Sequence, residues 1–170
     1  MTTIEKALDF NLKPNLYGTF SEIGGGQEVA NYFFKAGGAS GTIAKTISAY
    51  DMAVSDTYYG KTKRYVSEER LIEMLNKEYD SLTYYLADKA SEKCFFSLAN
   101  TVETLNFNKS NQGQGWMGVK FQNATNGTPN KCIIHFLLLD SDAALQQNVI
   151  GALGVNLLTG LLLCEYNNDR

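Results

Sequence analysis

Helical and extended patterns alternate along this chain. Residues 3–12, TIEKALDFNL, place Ile4, Leu8 and Leu12 on one side of a short helix that Thr3 can cap and Pro14 stops. From Tyr17 to Ile23, Tyr17, Thr19 and Ser21 alternate with Gly18, Phe20 and Glu22, a strand pattern that ends at Gly24-Gly25-Gly26. Over Gln27–Lys35, Val29, Ala30, Phe33 and Phe34 make one apolar helical stripe, closed by Gly37-Gly38. In the next twenty residues Ile43, Ile47 and Tyr50 favour a helix over 40–48, and the threonines and tyrosines beyond favour a strand or loop over 49–58. Ser67 opens a long helix, with Leu71, Met74, Leu75, Tyr79, Leu82 and Leu86 at helical spacing. Three β-runs follow, Cys94–Thr101, Trp116–Gln122 and Lys131–Leu139. The first two are separated by the amide-rich loop 106–115, and the last two are joined across Asn126-Gly127, a hairpin signal. Asp140-Ser141-Asp142 then starts a helix predicted to run to Leu163 through Gly151, Gly154 and Gly160.

These elements predict an α/β or α+β fold: a mixed sheet with an antiparallel hairpin at 116–139 and helices packed on it. The 170 residues suffice for one domain with a core. With 44% hydrophobic and 19% charged residues the composition is globular and slightly poor in charge for a free monomer. Net charge is −3, and Lys61-Thr62-Lys63-Arg64 is the one basic cluster, with Glu68 and Glu69 close behind, which argues against nucleic acid as a partner. Residues 1–6 lack the basic-then-apolar order of a signal peptide, and Val149–Cys164 is short for a membrane span and interrupted by glycines. A cytoplasmic protein with no membrane partner is the expectation. Cys94, Cys132 and Cys164 are odd in number and far apart, as free thiols in a reducing compartment would be.

The candidate chemistry centres on the two glycine clusters. GGASGTIAKT, Gly37–Thr46, resembles a phosphate loop, but Ala39 and Ala44 stand where the Walker pattern needs glycine. A looser anion site at a helix N-terminus, from the amides of Ser40, Gly41 and Thr42 with Lys45 nearby, is one reading, and a structural corner is the other. Gly24, Gly25 and Gly26 form a strand–glycine–helix junction that departs from the dinucleotide-binding pattern at Val29, with Glu28 placed to repel a phosphate; a tight turn is the alternative. Among the acids Glu22, Glu28, Asp51 and Asp56, the last two lie among tyrosines and could serve as acid, base or Mg²⁺ ligand, or be solvated loop carboxylates. His135, the single histidine, is either an acid–base group or a hydrogen-bonded strand residue. Trp116 either stacks on a ligand or anchors a core. No familiar metal motif is present and no motif identifies a cofactor.

The run from Asn15 to Val66, with YGTFSEIGGGQEVA, AGGASGTIAKTISAYDM and YGKTKRYV, together with GWMGVKFQ and VIGALGVNLL further on, resembles the N-terminal part of a bacterial family of uncharacterised cytoplasmic proteins. Its members carry the labels nicotinate or nicotinamide mononucleotide adenylyltransferase and TonB-dependent receptor. The resemblance implies that the chain is the N-terminal portion of a longer protein, and the polar ending from Cys164 to Arg170 agrees with that. The chain lacks the adenylyltransferase H-x-G-H phosphate motif, and shows neither a signal peptide nor barrel strands.

Two functions follow. One is a nucleotide- or phosphometabolite-binding domain, either on its own or as part of an enzyme, that holds a phosphate-bearing small molecule at the glycine stretch and Lys45. The other is an assembly domain that forms homo-oligomers through the apolar, glycine-rich C-terminal helix.

Overall fold

The computed structural model describes residues 1–164; the tail 165–170, expected to mark a truncated end, lies outside them. The described residues form α1 (Thr3–Asn11), β1 (Leu16–Gly24), α2 (Val29–Ala36), β2 (Ile43–Ile47), α3 (Met52–Tyr59), α4 (Glu68–Tyr85), β3 (Cys94–Glu103), β4 (Gly113–Phe121), β5 (Asn130–Leu138) and α5 (Ala143–Leu162). The strands make one mixed sheet in the order β2-β1-β3-β4-β5. It is parallel across β2, β1 and β3 and antiparallel from β3 to β5. The expected mixed α/β class and its hairpin are what the chain adopts. β4 and β5 pair from Gly113 with Leu138 to Phe121 with Asn130, and in the connecting turn Asn126 is left-handed at φ 57° while the Gly127 amide donates to the Ala124 carbonyl.

Alternation along the strands sends side chains to two faces, and each face has its own helices. On one face α1, α2 and α5 cover Phe20, Phe96, Leu98, Val102, Met117 and Val119. There Phe10 packs against Phe33 and Phe96, and Phe20 against the same two rings, with centroids between 5.2 and 5.7 Å apart. Gly18 must be glycine here, because a Cβ would lie 2.4 Å from the Phe96 ring. On the other face α4 lays Leu71, Met74 and Leu75 over Ile23 and Ala99, and Tyr79 and Leu82 over Phe95.

Two local expectations are corrected. Residues 40–48 are not a helix: after a single 3₁₀ turn at Ala39–Gly41 they enter β2, where Ile43, Lys45, Thr46 and Ile47 take up parallel register beside β1. The helix comes later, where Asp51 caps α3 by accepting from the amides of Ala53 and Val54. In α1 the cap is Thr2, in a capping box with Glu5, and the side facing the core is Ala7, Phe10 and Asn11, not Ile4, Leu8 and Leu12, which lie outward. Phe10 completes the aromatic cluster. Asn11 Nδ2 donates to the carbonyls of Phe33 and Gly37, and these two ties decide which side of α1 turns in.

By length and apolar character α5 is able to cross a bilayer, but here it is a helix of the first layer, burying Ile150, Val155 and Leu158. Gly151 meets Tyr32 and Glu28, and Gly154 meets Val29, so these glycines serve the close approach of α5 to α2. A Cβ at Gly154 would lie 2.4 Å from Val29, whereas at Gly160 it meets open space. Gly154→Ala is therefore expected to cost about 1–3 kcal/mol through overpacking. Gly160→Ala is expected to gain up to about 1 kcal/mol through helix propensity. Urea denaturation of the two variants checks both signs.

Candidate functional site

The chain leaves β1 for α2 on one face of the sheet and leaves β2 for α3 and α4 on the other. The carboxyl ends of these neighbouring parallel strands therefore part company, which is where open α/β sheets place a ligand. A cleft of 220 Å³ opens there, lined by Glu22 of β1, Gln27, Asn31 and Phe34 on and before α2, and Thr46 and Ser48 at the end of β2. A second cleft of 400 Å³ lies on the other side of Gln27, walled by Gly24, Gly25, Tyr50, Thr104 and Gln147.

Glu22 dominates the smaller cleft. Its Oε1 accepts from the Val29 amide at 2.9 Å and from Asn100 Nδ2 at 3.0 Å, and its Oε2 accepts from the Ala30 amide at 3.1 Å. The residue at the cap position of α2, Glu28, makes no capping bond, so the carboxylate of β1 does that work from across the turn. Burial nevertheless pushes the Glu22 carboxyl up to about 7, outweighing the three hydrogen bonds that pull it down. The glycines make the arrangement possible. Gly24 has φ 74° and no room for a Cβ against the Val102 carbonyl, Gly25 donates its amide to that same carbonyl, and Gly26 sits against Asn100 Oδ1. Gln27 Nε2 locks the turn by donating to the carbonyls of Glu22 and Gly24.

The residues singled out from the sequence are not gathered in one place. Gly24, Gly25 and Gly26 lie at the carboxyl end of β1. Ser40, Gly41 and Thr42 lie beside Gly18 at the opposite end of the parallel strands, in the 3₁₀ turn and the entry to β2. No α-helix starts at that turn; Thr42 Oγ1 donates to the Asn11 carbonyl. Lys45 pairs with the buried carboxylate of Glu78, which also accepts from Tyr59 Oη, on the α4 side of the sheet. Burial and then the Glu78 charge push the Tyr59 hydroxyl up. Asp51 caps α3. Asp56 accepts from Tyr65 Oη and pairs at 3.1 Å with Arg70, a fully buried guanidinium that also reaches Glu73 and the Gly60 carbonyl. Among the described residues no three His, Cys, Asp or Glu side chains are placed to hold a metal ion. Glu22 was visible in the sequence only as one acid of four. Its signal is position: an acid at the end of a strand pattern, just before three glycines and a helix that has no cap of its own.

No family model matches this chain, and no curated protein matches it. Solved structures do. A competence-damaged protein (CinA) superfamily protein from Escherichia coli aligns over 95% of this chain and 91% of its own, with a TM-score of 0.66 at 16% identity. A CinA superfamily protein from Klebsiella pneumoniae aligns over 96% and 99%, with a TM-score of 0.66 at 14% identity. A competence/damage inducible protein from Agrobacterium tumefaciens aligns over 95% and 96%, with a TM-score of 0.63 at 16% identity. The likeness is one of fold. It corrects the kinship expected from the sequence: the chain has the fold of CinA superfamily proteins, and nothing ties it to an adenylyltransferase or a TonB-dependent receptor.

Proposed function

We propose that this chain is a small-molecule-binding domain acting in the cytoplasm, with its ligand in the crevice between the carboxyl ends of β1 and β2 and Glu22 as the group that meets it. The observation that carries this reading is Glu22 itself: a carboxyl at the wall of a polar cleft, titrating near 7, and so able to accept or donate a proton at neutral pH. The amides of the first turn of α2 are already given to Glu22. The phosphate-bearing molecule expected from the glycine clusters therefore enters with an uncharged polar part beside Glu22, Thr46 and Ser48, and extends toward the larger cleft along Gly24 and Gly25. In an enzyme the same carboxyl would act as general acid or base. A second reading, assembly, is favoured by the outer edge of β5, which has no strand partner among the described residues, and by Leu137 near its end and Leu139 just past it, 58% and 87% exposed.

Thermal-shift screening against a metabolite panel is expected to find a stabilising compound, and Glu22→Gln is expected to lose most of that shift while remaining folded. A shift undiminished in Glu22→Gln would reject the site. The titration gives an independent check. The carboxyl binds its proton more tightly folded than unfolded, where it titrates near 4.5. Its contribution is thus fully present below that value and is lost as pH rises through about 7, a decline of about 3 kcal/mol. Urea denaturation between these pH values should show that decline in the natural chain and not in Glu22→Gln. Light scattering over a concentration series tests assembly: growth with concentration supports it, and a monomer throughout rejects it.

A further inference from the structure

The second layer of helices covers the sheet unevenly. α4 packs on β1, β3 and β4, and β2 lies beyond it at the sheet's margin. Between β2 and the last turn of α4 a cleft of 260 Å³ opens, far along the strands from the glycine turn at Gly24. Its walls are mostly apolar. Leu82 and Leu86 come from the end of α4, and Tyr17 comes from β1. The ammonium groups of Lys89 and Lys93 lie 5.3 and 5.9 Å from the centre of the Tyr17 ring, so that wall is fixed. Tyr85, 76% exposed, also lines the cleft.

The polar part of the lining is one ion pair and two hydroxyl residues, Thr19 and Ser81. Glu78 is buried, accepts from Tyr59 Oη at 2.8 Å and pairs with Lys45. Thr19, the register partner of Lys45, spends its proton on the Lys45 carbonyl. The charges of the pair cancel. A charged guest of either sign would meet one attraction and one repulsion, and would lose its hydration on entry. The pair is not closed to a neutral guest. An ammonium carries three N–H donors, and the Lys45 side chain remains 45% exposed while it holds Glu78. What the cleft lacks is an apolar body with one uncharged oxygen to accept from Lys45.

We propose that this cleft binds an uncharged, single-ring small molecule, its ring against Leu82, Leu86 and Tyr17 and a carbonyl oxygen on Lys45 Nζ. The volume lies below that of drug-sized pockets, which limits the guest to one substituted ring. The site is separate from the crevice at Glu22 and does not depend on that reading.

Acetophenone has this chemistry and serves as the probe. Added to the full, isotope-labelled chain, it is expected to shift the amide resonances of Ala44, Lys45, Leu82 and Leu86 saturably, with a Kd below about 2 mM. Benzoate and benzylamine, of the same size with a charge of either sign, are expected to bind at least ~5-fold more weakly. Lys45→Met is expected to weaken acetophenone at least ~3-fold while leaving ethylbenzene, which lacks the oxygen, within ~2-fold. Ser81→Phe places a ring in the cleft from the surface of α4 and is expected to abolish the shifts in a chain that stays folded. Glu22→Gln leaves them unchanged. The proposal is overturned if acetophenone gives no saturable shift at these residues up to about 10 mM. It is equally overturned if either charged analogue binds as well, if Lys45→Met weakens acetophenone and ethylbenzene alike, or if the shifts survive Ser81→Phe.

Discussion

A carboxylate inserted under the start of a helix is the contact on which the site depends. Glu22 lies on a central strand with parallel neighbours on both sides, and its oxygens satisfy the first amides of α2. Those amides have no partner within the helix and would otherwise need water or a ligand. The contact requires the chain to turn back on itself within a few residues of Glu22. That turn requires glycine three times, because it runs flush against Val102, Thr104 and Asn100 of the neighbouring strand and its extension. Strand, turn and helix are one unit, and the raised titration of Glu22 is the electrostatic cost of making it compact.

The two faces of the sheet are built differently. The face under α1, α2 and α5 is organised by phenylalanine rings and by glycines that bring α5 close to α2. Under α3 and α4 there are paired charges: Arg70 with Asp56 and Glu73, and Glu78 with Lys45 and Tyr59. Removing the outer partners leaves the buried Arg70 or Glu78 charge unpaired in a dry environment, which makes the register of α4 on the sheet specific as well as apolar. The sheet's carboxyl end draws on both faces, with an acid on the phenylalanine side and the stacked rings of Trp116 and His135 on the charged side.

Long periodic segments were legible in the sequence. The strand patterns, the Asn126-Gly127 hairpin, the helix opened by Ser67 and the last helix opened by Asp142 all follow from spacing and capping chemistry. Residues 40–48 were misread for a definite reason. Ile43 and Ile47 are four apart, a separation that falls on one side of a helix and also on one side of a strand, and in five residues nothing else separates the two. In α1 burial was decided by Phe10 and by the two bonds of Asn11, neither of which shows in a count of aliphatic positions. The candidate site was harder still. Two glycine clusters close in sequence sit at opposite ends of parallel strands, because the return helix α2 runs between them. Asp56 and Lys45 are drawn into ion pairs whose partners, Arg70 and Glu78, lie on a helix further along the chain. Glu22 is marked in the sequence by its position alone, and its burial is what separates it from the other three acids.

The glycine contacts of α2 also have a mechanical meaning. At its start the helix is wedged against β3 through Gly26 and Asn100, and along its side it is wedged against α5 through Gly154 and Val29, each with no space for even a methyl group. A helix clamped from two directions cannot shift sideways to accommodate a guest. The opposite wall of the crevice is β2, a five-residue strand at the sheet's margin with an exposed middle. Compliance in the crevice therefore belongs to β2.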